Sequence, residues 1–340
     1  MTSGYLTPRR SFLDNEGSTS RDAIGDGLSI NVLTSPAQAF KYENSRRYHS
    51  YREGSYWGPN DEQDGLHQTI THRLFCLLLQ DKLYLAPLSN PQHILDIGTG
   101  IGLWATNMAD ALPNSQILGI DLSPTWHDAV RPNLQLEVDD CCSNWTYADE
   151  GRDPFDFIHI RCLYGSIHDW HSLYRQAFDH LNPGGYIEQA ELSLIPHFRA
   201  PGTHSDSVFE RWYEFWKECS EKTGKSWLVA DRMGQEIYDV GFEDVCEARY
   251  MLPLFNHDDV SMGLCSCQEP EMDGDRISGL VSRLREIRKW FQQFWQAGME
   301  GWILAISTRY MGWTADQARE FVRMTNEAIE NGECDVYYEM

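Results

Sequence analysis

From His93 to Leu194 the chain alternates short apolar runs with amphipathic stretches, a pattern that few folds accept. It predicts strands at His93–Ile97, Gln116–Asp121, Leu134–Val138, Phe155–Arg161 and Gly185–Leu194. Helices are expected between the first two strands at Leu103–Ala111 and between the last two at Trp170–Leu181. The second helix is stopped by Asn182-Pro183-Gly184-Gly185. Strands joined through helices by short links run parallel, with helices on both faces. The expected class is therefore α/β, with a doubly wound sheet.

The flanking regions read differently. Residues 1–35 are rich in Ser, Thr, Gly and Asp without periodicity, and are expected to form a disordered arm. Residues 36–90 are expected to form an N-terminal helical cap. Its aromatic and cationic start (Arg46, Arg47, Tyr48, His49, Tyr51, Arg52, Tyr56, Trp57) leads into a helix over about Asp61–Leu79. Residues 91–195 form the ligand-binding core. Residues 196–340 complete it and add a helical insertion, with helices at Ser207–Thr223, Val229–Val240, Ile277 to about Tyr310 and Thr314–Ile329. Short strands are expected near Cys246–Leu252 and Cys334–Tyr338.

Charge and cysteine content exclude several function classes. Lys and Arg number 28 against 51 Asp and Glu, a net charge of −23 that repels a phosphate backbone, so no nucleic-acid partner is expected. No apolar run approaches the roughly 18–20 residues of a membrane span. Nor does an apolar run follow Arg9 and Arg10, so no secretory signal is read. Nine cysteines are too few, and odd in number, for a disulfide scaffold. They read as reduced thiols in a cytoplasmic protein. The Cys141–Cys142 pair and Cys265-Ser266-Cys267 each lack a second Cys/His pair at zinc-site spacing, so no metal is expected.

The chemistry concentrates in Leu95-Asp96-Ile97-Gly98-Thr99-Gly100-Ile101-Gly102. A strand that runs into a glycine loop and then a helix lets the backbone approach a ligand closely. The spacing is G-x-G-x-G rather than the G-x-G-x-x-G of dinucleotide binders, which argues against a nicotinamide-dependent dehydrogenase. Asp96 suits an ammonium or sulfonium group better than a pyrophosphate. Asp121 ends the next strand, placed to bind ribose hydroxyls. Asp139 and Asp140 end the third, where a carboxylate can accept from an adenine amino group. Three acidic strand ends and no Lys in the loop point to an adenosyl ligand without phosphates.

These residues resemble the first motif of class I S-adenosylmethionine-dependent methyltransferases. Pro154–Arg161 resembles that family's fourth strand, and Leu181–Tyr186 the turn before its fifth. The likeness extends to the fungal LaeA-like methyltransferases through Tyr42–His49, Pro59–Glu62, Gly165–Trp170 and Trp290–Trp313, and covers about residues 40–330. His168 stands where that family more often has Lys, and the chain ends sooner than expected after the last strand. The resemblance implies a seven-stranded sheet. It implies a donor, S-adenosyl-L-methionine, held by Asp96, Gly98, Thr99, Gly100, Gly102, Asp121, Leu122, Asp139, Asp140, Arg161 and Tyr48. It also implies an acceptor pocket containing Tyr164, Trp295 and Trp302, beneath a lid to which Tyr42, Arg46 and Tyr48 contribute. His168 is the candidate base, since imidazole titrates near neutral pH. The implied activity is methylation of a small organic acceptor in fungal secondary metabolism. The alternative is a LaeA-type regulator, nuclear rather than cytoplasmic, that acts through partners such as velvet proteins or by protein methylation.

Overall fold

The computed structural model describes residues 40–52, 54, 56–126, 131–199, 206–255, 274–332 and 335–340, with backbone alone for 274–280. The expected N-terminal arm, Cys265-Ser266-Cys267 and Cys334 lie outside the described residues. All the described residues belong to one compact unit.

At the N-terminal end a hairpin pairs β1 (Phe40–Glu43) with β2 (Arg46–His49). Its turn residues Asn44 and Ser45 both take positive φ, at 51° and 67°, as a two-residue hairpin of this hand requires. This hairpin was not expected from the sequence. Helix α1 (Glu62–Leu78) follows, capped by Asp61, whose side chain accepts from the Asp64 N–H.

The central sheet contains β3 (His93–Ile97), β4 (Gln116–Asp121), β5 (Leu134–Val138), β6 (Phe155–Arg161) and β7 (Leu181–Ala190). Its order is β5-β4-β3-β6-β7, and every pairing is parallel. Helices α2 (Leu103–Ala111) and α3 (Trp170–Asp179) provide crossovers. The pleat sends alternate residues to opposite faces. Ile94, Ile117 and Phe157 pack with Trp104 and Met108 of α2, while Leu95, Ile97, Leu118, Ile158 and Ile160 join the larger core with Leu173 and Tyr174 of α3. From β3 the chain steps outward to β4 and β5, then returns to β6 on the other side of β3. The strand ends at that reversal form the crevice in which such sheets bind ligands.

The first four strands and α2 lie where the sequence predicts them. β7 differs, because it begins at Leu181 and carries the expected Asn182–Gly185 turn as an irregularity between Phe155 and Phe157 in its pairing with β6. Among the described residues the sheet holds five strands, where the resemblance implied seven. Three short strands, β8 (His197–Phe198), β9 (Met251–Pro253) and β10 (Val336–Glu339), form a separate antiparallel sheet in the order β8-β10-β9. A hydrogen bond from Ser193 N–H to the Glu339 carbonyl, 2.8 Å, links the chain beyond β7 to β10.

The late helices are α4 (Val208–Thr223), α5 (Met233–Asp239), α6 (Gly274–Ile306) and α7 (Ala315–Asn331). α4 is capped by Ser207, and α7 by a Thr314–Gln317 capping box. α5 is shorter than the expected Val229–Val240. α6 passes into a π-helical turn, Ser307–Met311, and Gly312 ends it at φ +71°. No described helix is long and apolar enough to cross a membrane.

Candidate functional site

The glycine loop is built backwards from the sheet. Gly98 and Thr99 each donate a backbone N–H to the Ile120 carbonyl of β4, both at 2.9 Å. The Asp96 carboxylate lies behind the loop, 3% exposed. It accepts from the Thr99 hydroxyl at 2.7 Å, and its other oxygen lies 2.8 Å from His159 Nδ1. The His159 ring stacks on Trp104, 3.7 Å between centroids and 1° from parallel. The Asp96 carboxylate is thus bound to Thr99 and His159 within the protein. The pleat turns it toward α2, where it braces the loop. Gly98 and Gly100 take φ +71° and +57°. A Cβ on Gly98 would stand 2.6 Å from Leu163, and one on Gly100 would run into the Gln68 carboxamide.

The strand-end acids occupy the same edge. Asp121 accepts from the Gly100 N–H at 2.9 Å and the Ser123 N–H at 3.0 Å. Burial pushes its carboxyl up to about 6, against those two hydrogen bonds. Asp139 accepts from Tyr147 Oη at 3.3 Å and from the Asp140 N–H at 2.8 Å. Asp140 accepts from the Cys142 N–H at 3.0 Å and the Ser143 hydroxyl at 3.2 Å, and lies 3.5 Å from Arg52.

Helix α1 supplies the opposite wall. Gln68 Oε1 accepts from the Ile101 N–H at 2.9 Å, and its Nε2 donates to Asp64 at 2.7 Å. Burial raises the Asp64 carboxyl to about 7. The His67 ring packs on Phe294 of α6 at 4.8 Å, and its Nε2 accepts from the Trp302 indole at 3.3 Å. Burial lowers its pKa to about 4, so it is neutral. His72 bridges Arg161, 3.1 Å from Nδ1, and Asn107, 2.8 Å from Nε2. Its pKa also falls to about 4, first through burial and then through the Arg161 charge. His72 is thus a buried histidine wedged between Arg161 and Asn107.

These walls enclose a cavity of about 220 Å³. Away from the glycine loop it is lined by Tyr56, Trp57, Tyr164, Phe294 and Trp302, with Ser166, His168 and Lys225 as polar neighbours. Trp57 donates its indole N–H to the Tyr164 carbonyl at 3.2 Å and packs on Trp227 at 4.8 Å. The turn that carries Tyr164 is held from below by buried Glu191. That carboxylate accepts from the Leu163 N–H at 3.0 Å and the Tyr164 N–H at 3.3 Å. Burial raises it to about 7.

Of the predicted site residues, Gly98, Thr99, Gly100, Asp121, Leu122, Asp139, Asp140, Arg161, Tyr164, His168 and Trp302 line this cavity. Four do not. Asp96 sits behind the loop. Gly102 is the N-cap of α2. Tyr48 is 1% exposed under the Arg309 guanidinium, 4.9 Å from its ring centroid, so it is core of the hairpin rather than a donor contact. Trp295 packs against Phe209, Trp212 and Tyr338. Of the two other residues assigned to the lid, Arg46 pairs with Asp61 at 2.6 Å, and Tyr42 is 72% exposed. Sequence reasoning missed Asp64, His67, Gln68, Cys141, Cys142, Cys162 and Lys225. Asp64, His67, Gln68 and Lys225 reach the cavity because α1 and the loop before Trp227 dock there, which no local motif signals, whereas Cys141, Cys142 and Cys162 follow β5 and β6.

A parallel α/β sheet with a glycine loop and a carboxylate following each of the next two strands is an arrangement in which α/β proteins bind nucleosides. The residues fit an adenosyl group: two glycines allow close approach, Asp121 retains lone pairs beyond its two backbone bonds, and the loop holds no cation for a phosphate. The chain belongs to the methyltransferase-domain family, which matches residues 70–247. It is a methyltransferase. Methyltransferase pytC of Aspergillus terreus is 32% identical over 291 residues, 85% of this chain and 82% of that protein. Protein-methionine methyltransferase laeA of Emericella nidulans is 26% identical over 302 residues, 88% and 74% of the two chains. The structure of Haemonchus contortus phosphoethanolamine N-methyltransferase 2 with S-adenosyl-L-methionine is 16% identical, with a TM-score of 0.37, over 84% of this chain and 53% of that one.

Proposed function

We propose that the enzyme methylates a small, largely apolar acceptor of fungal secondary metabolism. The carrying observation is the aromatic end of the cavity, where Tyr56, Trp57, Tyr164, Phe294 and Trp302 stand beside the donor cradle. An enclosed aromatic pocket with few polar groups suits a ring system better than a nucleic acid or an extended polar peptide. The acidic charge also opposes a nucleic-acid substrate. A cytoplasmic location accords with this reading.

The bound donor supplies an electrophilic methyl on a sulfonium. The chain's own residues bind, orient and exclude water. In this reading the loop backbone at Gly98 and Gly100 lies along the methionine part, with Thr99 held beneath it by Asp96. Arg161, steadied by His72 and by the Phe75 ring 5.0 Å from its guanidinium carbon, takes the carboxylate. Asp121 takes the ribose hydroxyls, while Leu122 flanks it and Asp139 or Asp140 takes the adenine amino group. Tyr164 and Trp302 bound the acceptor. Alignment of acceptor and methyl carries most of the rate, because it replaces a bimolecular encounter. Where the acceptor atom bears a proton, His168 accepts it as the new bond to the methyl forms.

The second reading is a regulator that methylates protein in the nucleus, favoured by the name of the Emericella nidulans relative. Methyl-labelled donor incubated with the protein and host extract separates the two. Label in the solvent-soluble fraction supports the proposal, and label confined to precipitated protein favours the second reading. A Gly100→Val control that still transfers label would refute the cradle itself.

A further inference from the structure

The loop after β5 gathers three groups that can bind a metal. The Asp140 carboxylate and the Cys141 and Cys142 sulfurs lie within 4.8 Å of one another, and all three residues line the cavity. Two sulfurs on one tetrahedral zinc ion, each about 2.3 Å from it, stand about 3.8 Å apart. The turn is fixed by the bonds from the Cys142 N–H and Ser143 hydroxyl to Asp140. Cys142 is exposed and Cys141 half-buried, so an ion in solvent reaches them.

We propose that Asp140, Cys141 and Cys142 bind a thiophilic divalent cation such as zinc or cadmium, and that the bound ion excludes the adenosyl end of the methyl donor. The second half of this statement rests on the donor placement proposed above. Two sulfurs and one oxygen select such ions over magnesium and calcium, which require oxygen ligands. Two thiolates and a carboxylate carry three negative charges against the ion's two positive ones, which compensates for loss of the Arg52 contact at 3.5 Å. Three protein ligands leave the fourth position to water, so the ion exchanges rather than forming a closed structural centre. The ion is an inhibitor, not a cofactor. Spacing along the chain gave no hint of the site, because adjacent cysteines match no zinc motif; the folded turn brings in the carboxylate as third ligand.

The test uses the full chain and a Cys141→Ser/Cys142→Ser double variant whose circular dichroism matches the parent. Cadmium is titrated while its thiolate charge-transfer absorbance is read. Calorimetry then measures S-adenosylhomocysteine binding to both proteins with and without one equivalent of cadmium. The parent is expected to take up one more ion than the variant, and that ion should weaken S-adenosylhomocysteine binding at least tenfold in the parent alone. Equal uptake by the two proteins overturns the site. An extra ion that leaves S-adenosylhomocysteine binding unchanged overturns the exclusion. Absence of S-adenosylhomocysteine binding even without metal counts against the donor placement, while the uptake difference still decides the metal site. If the double variant does not fold, Asp140→Asn replaces it, with weakened uptake expected and unchanged uptake contrary to the proposal.

Discussion

Gly100→Ala tests the architecture of the cradle at one atom. Gly100 sits at φ +57°, where a side chain costs about 1–2 kcal/mol. Its Cβ would also displace the Gln68 carboxamide, which accepts from Ile101 and donates to Asp64. Leaving a buried N–H without its acceptor adds about 1–3 kcal/mol. The sum is roughly 2–5 kcal/mol, a melting-temperature loss of roughly 3–7 °C for a chain of this size. Gly184→Ala is the matched control, because Gly184 has φ +83° but nothing within 4 Å of an added Cβ. It carries only the backbone cost, roughly 1.5–3 °C. Differential scanning calorimetry reads both losses, and titration with S-adenosylhomocysteine reads the cradle. The expected pattern is at least a tenfold affinity loss for Gly100→Ala and none for Gly184→Ala, tenfold being about 1.4 kcal/mol. Equal thermal losses in the two variants, or native affinity in Gly100→Ala, would refute the reasoning.

Other predictions follow from the same geometry. Asp64 has a folded pKa of about 7 against an ordinary 3.8, so its charged form is disfavoured by burial and stability falls as pH rises through that window. Asp64→Asn removes the titration; its melting temperature relative to the parent should be higher at pH 8 than at pH 5, and a constant difference across that range contradicts this. Burial instead lowers His67 and His72 to about 4 from 6.5, so their contribution is lost as pH falls through that interval and acid destabilises the protein through them. His67→Gln should reduce the loss of melting temperature between pH 6.5 and 4, and an unchanged acid limb counts against it. Asp121→Asn removes charge-assisted acceptance from Gly100 and from the ribose, and should weaken S-adenosylhomocysteine by about 10–100-fold, or about 1.5–3 kcal/mol. Calorimetry showing less than a threefold change excludes that role. Glu191→Gln leaves the cavity lining intact but loosens the turn at Leu163 and Tyr164. Once an acceptor is known, kcat should fall more than donor affinity, and parallel losses would indicate general unfolding instead.

The sheet was legible because its central strands β3, β4 and β6 are mostly buried and are bounded by turn residues. Each carries an apolar run, with Asp121 closing β4, Arg161 closing β6 and Asp139 directly following β5. The N-terminal hairpin was not legible. Phe40-Lys41-Tyr42-Glu43 and Arg46-Arg47-Tyr48-His49 are polar and charged, and the turn uses Asn-Ser in place of the usual Asn-Gly. What buries them is Arg46 pairing with Asp61 and Arg309 covering Tyr48, contacts invisible to local periodicity. The donor site divides in the same way. Glycines and strand-end acids are local signals, whereas the contact between Asp96 and His159 is not. The aromatic richness of α6 was visible, but only tertiary packing decides that Trp302 faces the cavity and Trp295 the core.

The ties between the two ends of the chain set the order in which this enzyme can be completed. Glu43 meets Arg309 across 266 residues, and His67 meets Trp302 across 235. At about 5–20 residues per second of synthesis, the α1 wall waits roughly 12–47 s for its α6 partner. All five strands of the central sheet have been made by Ala190, well before Trp302 is added. The donor cradle is thus assembled first and roofed last. A nascent chain carries the Leu74 face of α1 without its eventual cover, so truncation before α6 exposes apolar surface as well as abolishing catalysis.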